Sequence, residues 1–167
     1  MPASGSPFGA LAGSPLVAIA VGGILGAEAR YVLTLALPHS RGQFPWSTLL
    51  INLTGSLLIG VLMVVLYQLR APHRLLRPFL GIGLLGGYTT YSAFAVDVQQ
   101  LLLAHRPLLA LGYLTATVLG CAGAVWLAVA VTTAAGRLVR PGAAGPQPGP
   151  VAGSAVEAPA VDQVDFR

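Results

Sequence analysis

The stretch Gly81-Ile-Gly-Leu-Leu-Gly-Gly-Tyr-Thr-Thr-Tyr-Ser-Ala-Phe94 places glycines and hydroxyl side chains inside a segment apolar enough to cross a membrane. No charged residue lies between Arg77 and Asp97. Paired glycines and β-branched threonines are poor helix formers, so residues 86–92 predict a local break in a helix. In a bilayer, backbone groups freed by a break are tolerated only where they face protein, ions or water. The stretch therefore predicts an ion-handling site in a broken membrane helix.

The composition of the whole chain is that of an integral membrane protein. Of its 167 residues, 55% are hydrophobic and only 8% are charged, against roughly 25% charged residues in a soluble domain. The net charge of +4 comes from arginines at the ends of apolar segments, which is typical of topology signals, so nucleic-acid binding is not expected. The single cysteine, Cys121, excludes an intramolecular disulfide.

Four apolar segments are long enough to cross the ~30 Å hydrocarbon core, which takes about 20 residues of helix. They are Leu16–Leu37, Trp46–Leu69, Pro78–Val96 and Pro107–Ala135. The short connections predict antiparallel neighbouring helices in one membrane domain, residues 16–135. Residues 1–15 are predicted to be a short tail, and residues 136–167, rich in Pro, Gly and Ala, a disordered one.

The arginines are distributed unevenly between the two sides that four spans define. One side would hold Arg70, Arg74, Arg77, Arg137 and Arg140, and the other only Arg41 and Arg106. Because cytoplasmic loops are enriched in Lys and Arg, both termini are predicted to be cytoplasmic.

Polar residues recur every fourth position on two of the spans, which places each set on one helix face. The second span carries Thr48, Asn52 and Ser56, and the fourth carries Tyr113, Thr117 and Cys121. Such faces are expected toward the protein interior, where they act either as interhelical hydrogen-bonding groups or as donors to a passing anion.

The first span combines small residues with charge. Gly22, Gly26 and Arg30 lie four apart on one face, and glycines at this spacing allow close backbone approach between membrane helices. A charge inside a span costs about 2.5 to 3.5 kcal/mol on insertion scales, so Arg30 is expected to face a partner, a vestibule or an anion, or to snorkel. Glu28 is the one carboxylate of this span.

The broken third span offers groups for two ions of opposite charge. Carbonyls around Gly86 to Thr89 are suited to a hard cation such as sodium. Tyr91 and Phe94, three apart on one face, are either packing residues or present electropositive ring edges to an anion.

Together these motifs resemble a known family, the small bacterial fluoride channels (Fluc, or CrcB-like). The resemblance rests on residues Gly22–Tyr31, Trp46–Gly60 and Gly86–Phe94, and it covers about Gly22 to Val131. It implies a passive, fluoride-selective channel in the bacterial inner membrane that lowers cytoplasmic fluoride. It also implies an antiparallel dimer of four-helix subunits with a central structural sodium ion.

The same resemblance implies a role for each candidate site residue. Sodium would be held by the carbonyls of Gly86 and Thr89. The fluoride pathway would be formed by Asn52, Tyr91, Phe94, Ser92, Thr90, Tyr113, Thr117, Thr48 and, in the vestibule, Arg30. Where the family usually has Phe, this chain has Tyr91, and Cys121 stands where a hydroxyl residue is common. The arginine asymmetry leaves open a homodimer or a heterodimer with an oppositely oriented homologous subunit.

Two other functions compete with the channel. A proton-coupled exporter of the small multidrug type, also a four-span dimer, would use Glu28 as its proton and substrate site. A structural membrane protein would need the apolar spans but not the polar faces. An enzyme is not expected, because no Ser/His/Asp set or metal-ligand cluster converges within the predicted spans.

Overall fold

The computed structural model describes residues 14–68 and 73–139, and in that part of the chain the regular structure is all helical. Helix α1 is Pro15–Ala36 and α2 is Trp46–Gln68. Helix α3, residues 78–88, begins as a π-helix over Pro78–Leu85 and ends in one α-helical turn, Gly86–Tyr88. Helix α4 is Ser92–Leu103 and α5 is Pro107–Val139.

Four helical stretches are long and apolar enough to cross a membrane, which indicates a multi-pass membrane protein. Helices α3 and α4 together make the third of these, Pro78–Leu103. The four predicted spans and the break in the third one are therefore confirmed. Large apolar side chains such as Leu108 and Trp126 lie exposed on the outer surface, where lipid would contact them.

Two predicted helix ends were wrong. The third span does not stop at Val96 but continues through Asp97 to Leu103, because the Asp97 side chain is buried and hydrogen-bonded inside the bundle. Helix α5 continues past Ala135 to Val139. Residues 1–13 and 140–167, most of the two predicted tails, lie outside the described residues.

Helix α1 packs against α3 through a line of glycines, the glycine seam, formed by Gly22, Gly26, Gly83 and Gly87. A Cβ on Gly26 would collide with the Leu84 carbonyl, and one on Gly87 with the Gly23 carbonyl. A Cβ on Gly83, which also lies on α3, would be 2.7 Å from the Ile19 carbonyl oxygen. The two backbones therefore touch directly, and the predicted close packing of the α1 glycines is confirmed.

Helix α2 packs closely along α5 through both side-chain and backbone contacts. A Cβ on Gly60 would lie 2.8 Å from the Ala128 methyl, and one on Gly120 2.8 Å from Leu53 Cδ1. A cluster of buried side chains, Leu49, Leu101, Ala110 and Tyr113, joins this pair of helices to α4. Both ends of the break in the third span are thus fixed by neighbouring helices.

Candidate ion pathway

The break between α3 and α4 is held open by the side chain of Asn52 on α2. Thr89 has an extended backbone, with φ −77° and ψ 159°, so the helix ends there. The Thr90 N–H donates to Asn52 Oδ1 at 2.9 Å, and Asn52 Nδ2 donates back to the Thr90 carbonyl at 2.9 Å. One amide side chain thereby satisfies both backbone groups of Thr90, which a break would otherwise leave without partners.

Two backbone carbonyls lose their helical partners as a result. In a continuous helix the Thr90 N–H would donate to the Gly86 carbonyl and the Ala93 N–H to the Thr89 carbonyl. The first N–H is taken by Asn52 and the second by Thr90 Oγ1, at 3.1 Å. The Gly86 and Thr89 oxygens are therefore free of those bonds, and uncharged oxygens of this kind fit a hard cation. No group of three or more His, Cys, Asp or Glu side chains converges within residues 14–68 and 73–139.

A cavity of about 440 Å³ opens beside the break, and it brings many of the predicted site residues together. Seven of its lining residues are ones that the sequence predicts for the two ions: Asn52, Gly86, Thr89, Thr90, Tyr91, Phe94 and Thr117. Ser56 and Cys121, from the two polar faces, also line it. The cavity is open to the surface, and its lining residues Gly86, Tyr91 and Val118 are exposed.

Few of the hydrogen-bond donors at this cavity are free for an ion. Asn52 has two amide N–H groups, and only one of them bonds the Thr90 carbonyl in the described residues. The Thr117 hydroxyl donates to the Tyr113 carbonyl at 2.8 Å, so its hydrogen is already used within α5. The second N–H of Asn52, a residue that lines the cavity, is therefore not used by a hydrogen bond within the described residues.

A line of aromatic rings leads away from the cavity along one side. The ring centroids of Tyr91 and Phe94 lie 6.0 Å apart, and those of Phe94 and Tyr113 lie 5.4 Å apart. Phe44 then meets Tyr113 edge to face at 5.5 Å. Tyr91 is 81% exposed, whereas Tyr113 is fully buried, so the line runs from an open face into the bundle.

Tyr113 takes part in a polar cluster that the sequence analysis missed, the mouth cluster of His39, Ser47, Asp97 and Tyr113. The Tyr113 hydroxyl donates to Asp97 Oδ2 at 3.3 Å, and His39 Nε2 lies 3.4 Å from Asp97 Oδ1. His39 Nδ1 lies 3.2 Å from the Ser47 hydroxyl. The signal in the sequence was the spacing of Phe94 and Asp97, because residues three apart share a helix face.

The remaining predicted residues lie at the edges of this arrangement. Thr48 is buried next to the Tyr113 hydroxyl, and the Ser92 hydroxyl lies 3.3 Å from Thr90 Oγ1. Arg30 is half-buried on α1 and does not line the cavity. Glu28 is exposed on α1 and does not line the cavity either, so its position gives the exporter no support.

Comparison with known proteins matches most of the chain to one family. The family model described as "CrcB-like protein, Camphor Resistance (CrcB)" matches residues 17–140. A protein of Streptomyces coelicolor named "Fluoride-specific ion channel FluC 1" is 49% identical over 116 residues, which are 69% of this chain and 75% of that protein.

Two further relatives have similar names. "Fluoride-specific ion channel FluC 2" of Streptomyces avermitilis is 50% identical over 105 residues, 62% of this chain and 66% of the relative. "Fluoride-specific ion channel FluC 2" of Nocardia farcinica is 47% identical over 112 residues, 67% of this chain and 80% of the relative.

Proposed function

The chain belongs to the CrcB-like protein family, and on that premise we propose that it is a channel that conducts fluoride passively across a bacterial inner membrane. The observation that carries the proposal is the break held by Asn52, whose amide lines a cavity together with Tyr91 and Phe94. Fluoride is small and tightly hydrated, so a site must replace its water with donors held in a fixed position.

The proposed conduction involves no covalent chemistry, so it requires no catalytic residue. Asn52 donates a hydrogen bond to the ion, and the ring edges of Tyr91 and Phe94 offer partial positive charge without a fixed cation. A fixed cation would bind the anion too tightly for it to leave, because conduction requires release as well as entry. Fluoride that enters as neutral hydrogen fluoride dissociates at cytoplasmic pH and leaves through this path, which lowers its cytoplasmic concentration.

A structural sodium ion fits the two carbonyls that the break frees. Gly86 and Thr89 would hold it, and the ion would supply positive charge that fastens broken helices to each other. Two oxygens are too few for a hard cation, which takes about six ligands. A second subunit would supply further ligands, so the proposed sodium site implies a dimer.

The proposed dimer is antiparallel and covers the open side of the cavity. The exposed lining residues Gly86, Tyr91 and Val118 would be buried by the partner. In the described residues Arg74, Arg77 and Arg137 lie at one end of the bundle and Arg41 and Arg106 at the other. That bias favours one orientation in the membrane and therefore an oppositely oriented homologous subunit as the partner. A second copy of this chain could take that place only if the chain also inserts in the opposite orientation.

Efflux from liposomes tests the proposed conduction. Purified protein in liposomes loaded with fluoride or chloride is expected to release fluoride far faster, and to lose that activity when sodium is removed from both sides. In the absence of a proton gradient, the Glu28→Gln channel is expected to release fluoride as fast as the unaltered protein. A proton-coupled exporter that uses Glu28 would lose its transport activity in this variant. Absence of fluoride release from well-folded protein, alone and combined with a homologous subunit from the same organism, would reject the channel.

Reporter fusions at the carboxyl terminus test the dimer's composition. A chain that inserts mainly one way is expected to give signal from a cytoplasmic reporter alone, and then to need a homologous partner. Comparable signal from both sides of the membrane would show a single chain inserted in both orientations, and the homodimer would stand.

A further inference from the structure

A continuous line of contacts joins the cavity to one end of the bundle. Thr117 and Phe94 line the cavity, and both contact Tyr113, whose hydroxyl bonds Asp97. Asp97 lies six residues before the end of α4, and Tyr113 six residues after the start of α5. At 1.5 Å per residue, both lie about 9 Å inside the helix ends. The mouth cluster therefore lies between the cavity and this end of the bundle.

Asp97 poses an electrostatic problem for an anion that moves between the cavity and that end of the bundle. The residue is 8% exposed, and it lies one helical turn from Phe94. A carboxylate in such surroundings repels a passing anion, because little water screens it. The hydrogen bond from Tyr113 spreads that negative charge but does not cancel it. A positive charge next to Asp97 is needed for anions to pass at full rate.

His39 is placed to supply that charge, and its two hydrogen bonds survive a change of protonation. In neutral His39, Nε2–H donates to Asp97, and Nδ1 accepts from the Ser47 hydroxyl. In protonated His39, the Ser47 hydroxyl turns and accepts from Nδ1–H instead, because a hydroxyl both donates and accepts. The imidazole is therefore held in one place while its charge changes.

Protons reach His39 from the surface. Its side chain is 21% exposed, and it lines a surface cavity of about 410 Å³ together with Gln43 and Trp46. Histidine is the side chain that ordinarily changes charge between pH 5 and 8.

Other titratable groups lie at this end but do not take the place of His39. Tyr113 faces Asp97 from α5, and its phenol carries no positive charge. Arg41, His105 and Arg106 are exposed, and the Arg106 side chain lies beside Gly42. The two arginines stay charged throughout this pH range. Within the described residues His39 is the one titratable cationic group in contact with Asp97.

We infer that His39 is a proton-dependent charge partner of Asp97 that sets the rate of fluoride conduction through this mouth. This inference rests on the proposed function. When His39 is protonated it neutralises Asp97, and fluoride passes freely. When His39 is neutral the carboxylate charge remains, and fluoride is slowed. Conduction therefore rises in acid, the condition under which hydrogen fluoride enters a cell.

Fluoride efflux from liposomes at about pH 6 and pH 8 tests the inference, with release from protein-free liposomes subtracted. The unaltered channel, assembled with whichever partner it needs, is expected to slow roughly fivefold at the higher pH, as one partly exposed charge pair is lost. His39→Gln is expected to be slow at both pH values, and His39→Arg fast at both. His105→Asn is the matched control; it accepts the positive φ of 57° at that position and is expected to keep the full pH profile.

Asp97→Asn gives a second measurement that does not alter His39. Without the carboxylate there is nothing for His39 to neutralise, so efflux is expected to be equal at both pH values. If either His39→Gln or Asp97→Asn does not elute as the intact assembly, the pH profile of the other variant decides the test.

Two results would overturn the inference. One is a full pH profile in His39→Gln or in Asp97→Asn, and the other is unaltered protein that conducts equally at both pH values. The proposed function survives either result, since fluoride is still conducted. Absence of fluoride efflux at both pH values would instead reject the proposed function, and this inference with it.

Discussion

The two halves of the third span are held by contacts of different kinds. Residues 78–88 meet α1 backbone to backbone along the glycine seam. Residues 89–103 are held by side chains from α2, α5 and the loop before α2, through Asn52, Tyr113 and His39. One half is therefore specified by the absence of side chains and the other by their hydrogen-bonding groups.

This difference separates what the fold needs from what the site needs. The seam leaves no room for a Cβ, so its requirements are steric. The break depends instead on particular donors and acceptors, because the Thr90 N–H, the Thr90 carbonyl and the Ala93 N–H are all bonded to side chains. Substitutions in the seam should therefore change folding, and substitutions at the break should change transport.

The largest effect is expected at the centre of the glycine seam. Gly26→Ala places a methyl against the Leu84 carbonyl, and the helices must separate, at a cost of about 3 kcal/mol or more in the free energy of unfolding. The measurement is the yield of monodisperse protein and its thermal stability in detergent. Gly23→Ala is the control, since a Cβ there meets nothing within 4 Å. Equal stability of the two variants would show that the glycine seam does not depend on the absence of a side chain at Gly26.

Removal of the Asn52 amide should separate transport from folding. Asn52→Ala leaves the Thr90 N–H and carbonyl without partners and should lower the free energy of unfolding by about 1 to 3 kcal/mol. Fluoride efflux should be lost in protein that still elutes as the intact assembly.

The control for Asn52 lies half a turn along the same helix. The exposed Thr54 hydroxyl bonds the Leu50 carbonyl and the Tyr88 hydroxyl, outside the cavity. Thr54→Val should keep normal efflux. Normal efflux in Asn52→Ala would show that the amide has no part in conduction.

A smaller effect is expected at Thr90, whose hydroxyl binds the Ala93 N–H and so keeps it from the Thr89 carbonyl. In Thr90→Val the Ala93 N–H loses its acceptor and becomes available to the Thr89 carbonyl. The sodium concentration needed for half-maximal thermal stabilisation should rise roughly fivefold, the equivalent of about 1 kcal/mol for one hydrogen bond. Thr90→Ser retains a hydroxyl and should respond to sodium as the unaltered protein does. An unchanged sodium response in Thr90→Val would argue against the carbonyl site.

The smallest effect is expected at the phenol hydroxyl of Tyr91. Tyr91 is 81% exposed, and its ring, not its hydroxyl, meets Phe94. Tyr91→Phe keeps the ring edge and should change fluoride efflux by less than about twofold, with stability within about 0.5 kcal/mol. Tyr91→Leu removes the ring edge and is the contrasting variant. A large loss of efflux in Tyr91→Phe would assign the hydroxyl a role in the pathway.

Local sequence signals predicted the parts of this molecule that depend on hydropathy and backbone preference. Apolar length gave the four spans, and paired glycines followed by threonines gave the break after Tyr88. The four-residue spacing of Gly22 and Gly26 predicted close packing, which α3 provides. Each of these depends on residues near one another in the chain, so a sequence can be searched for them directly.

The mouth cluster could not be predicted in this way. The apolar run predicts that the third span ends at Val96, just before Asp97, and a charge in lipid is costly. Asp97 is accommodated inside the helix only because Tyr113 and His39, from α5 and the loop before α2, lie within hydrogen-bonding distance. The cost of a charge depends on its neighbours in space, and these lie 16 and 58 residues away along the chain.

The sequence by itself determined a four-span membrane protein with a broken third helix, because the bilayer selects for apolar length and glycine sets backbone freedom within a few residues. Only the tertiary structure decided which groups the break leaves free and which residues surround Asp97. The reason is that hydrogen-bond partners are assigned across helices. Asn52 reaches Thr90, and Tyr113 and His39 reach Asp97, once the bundle has packed.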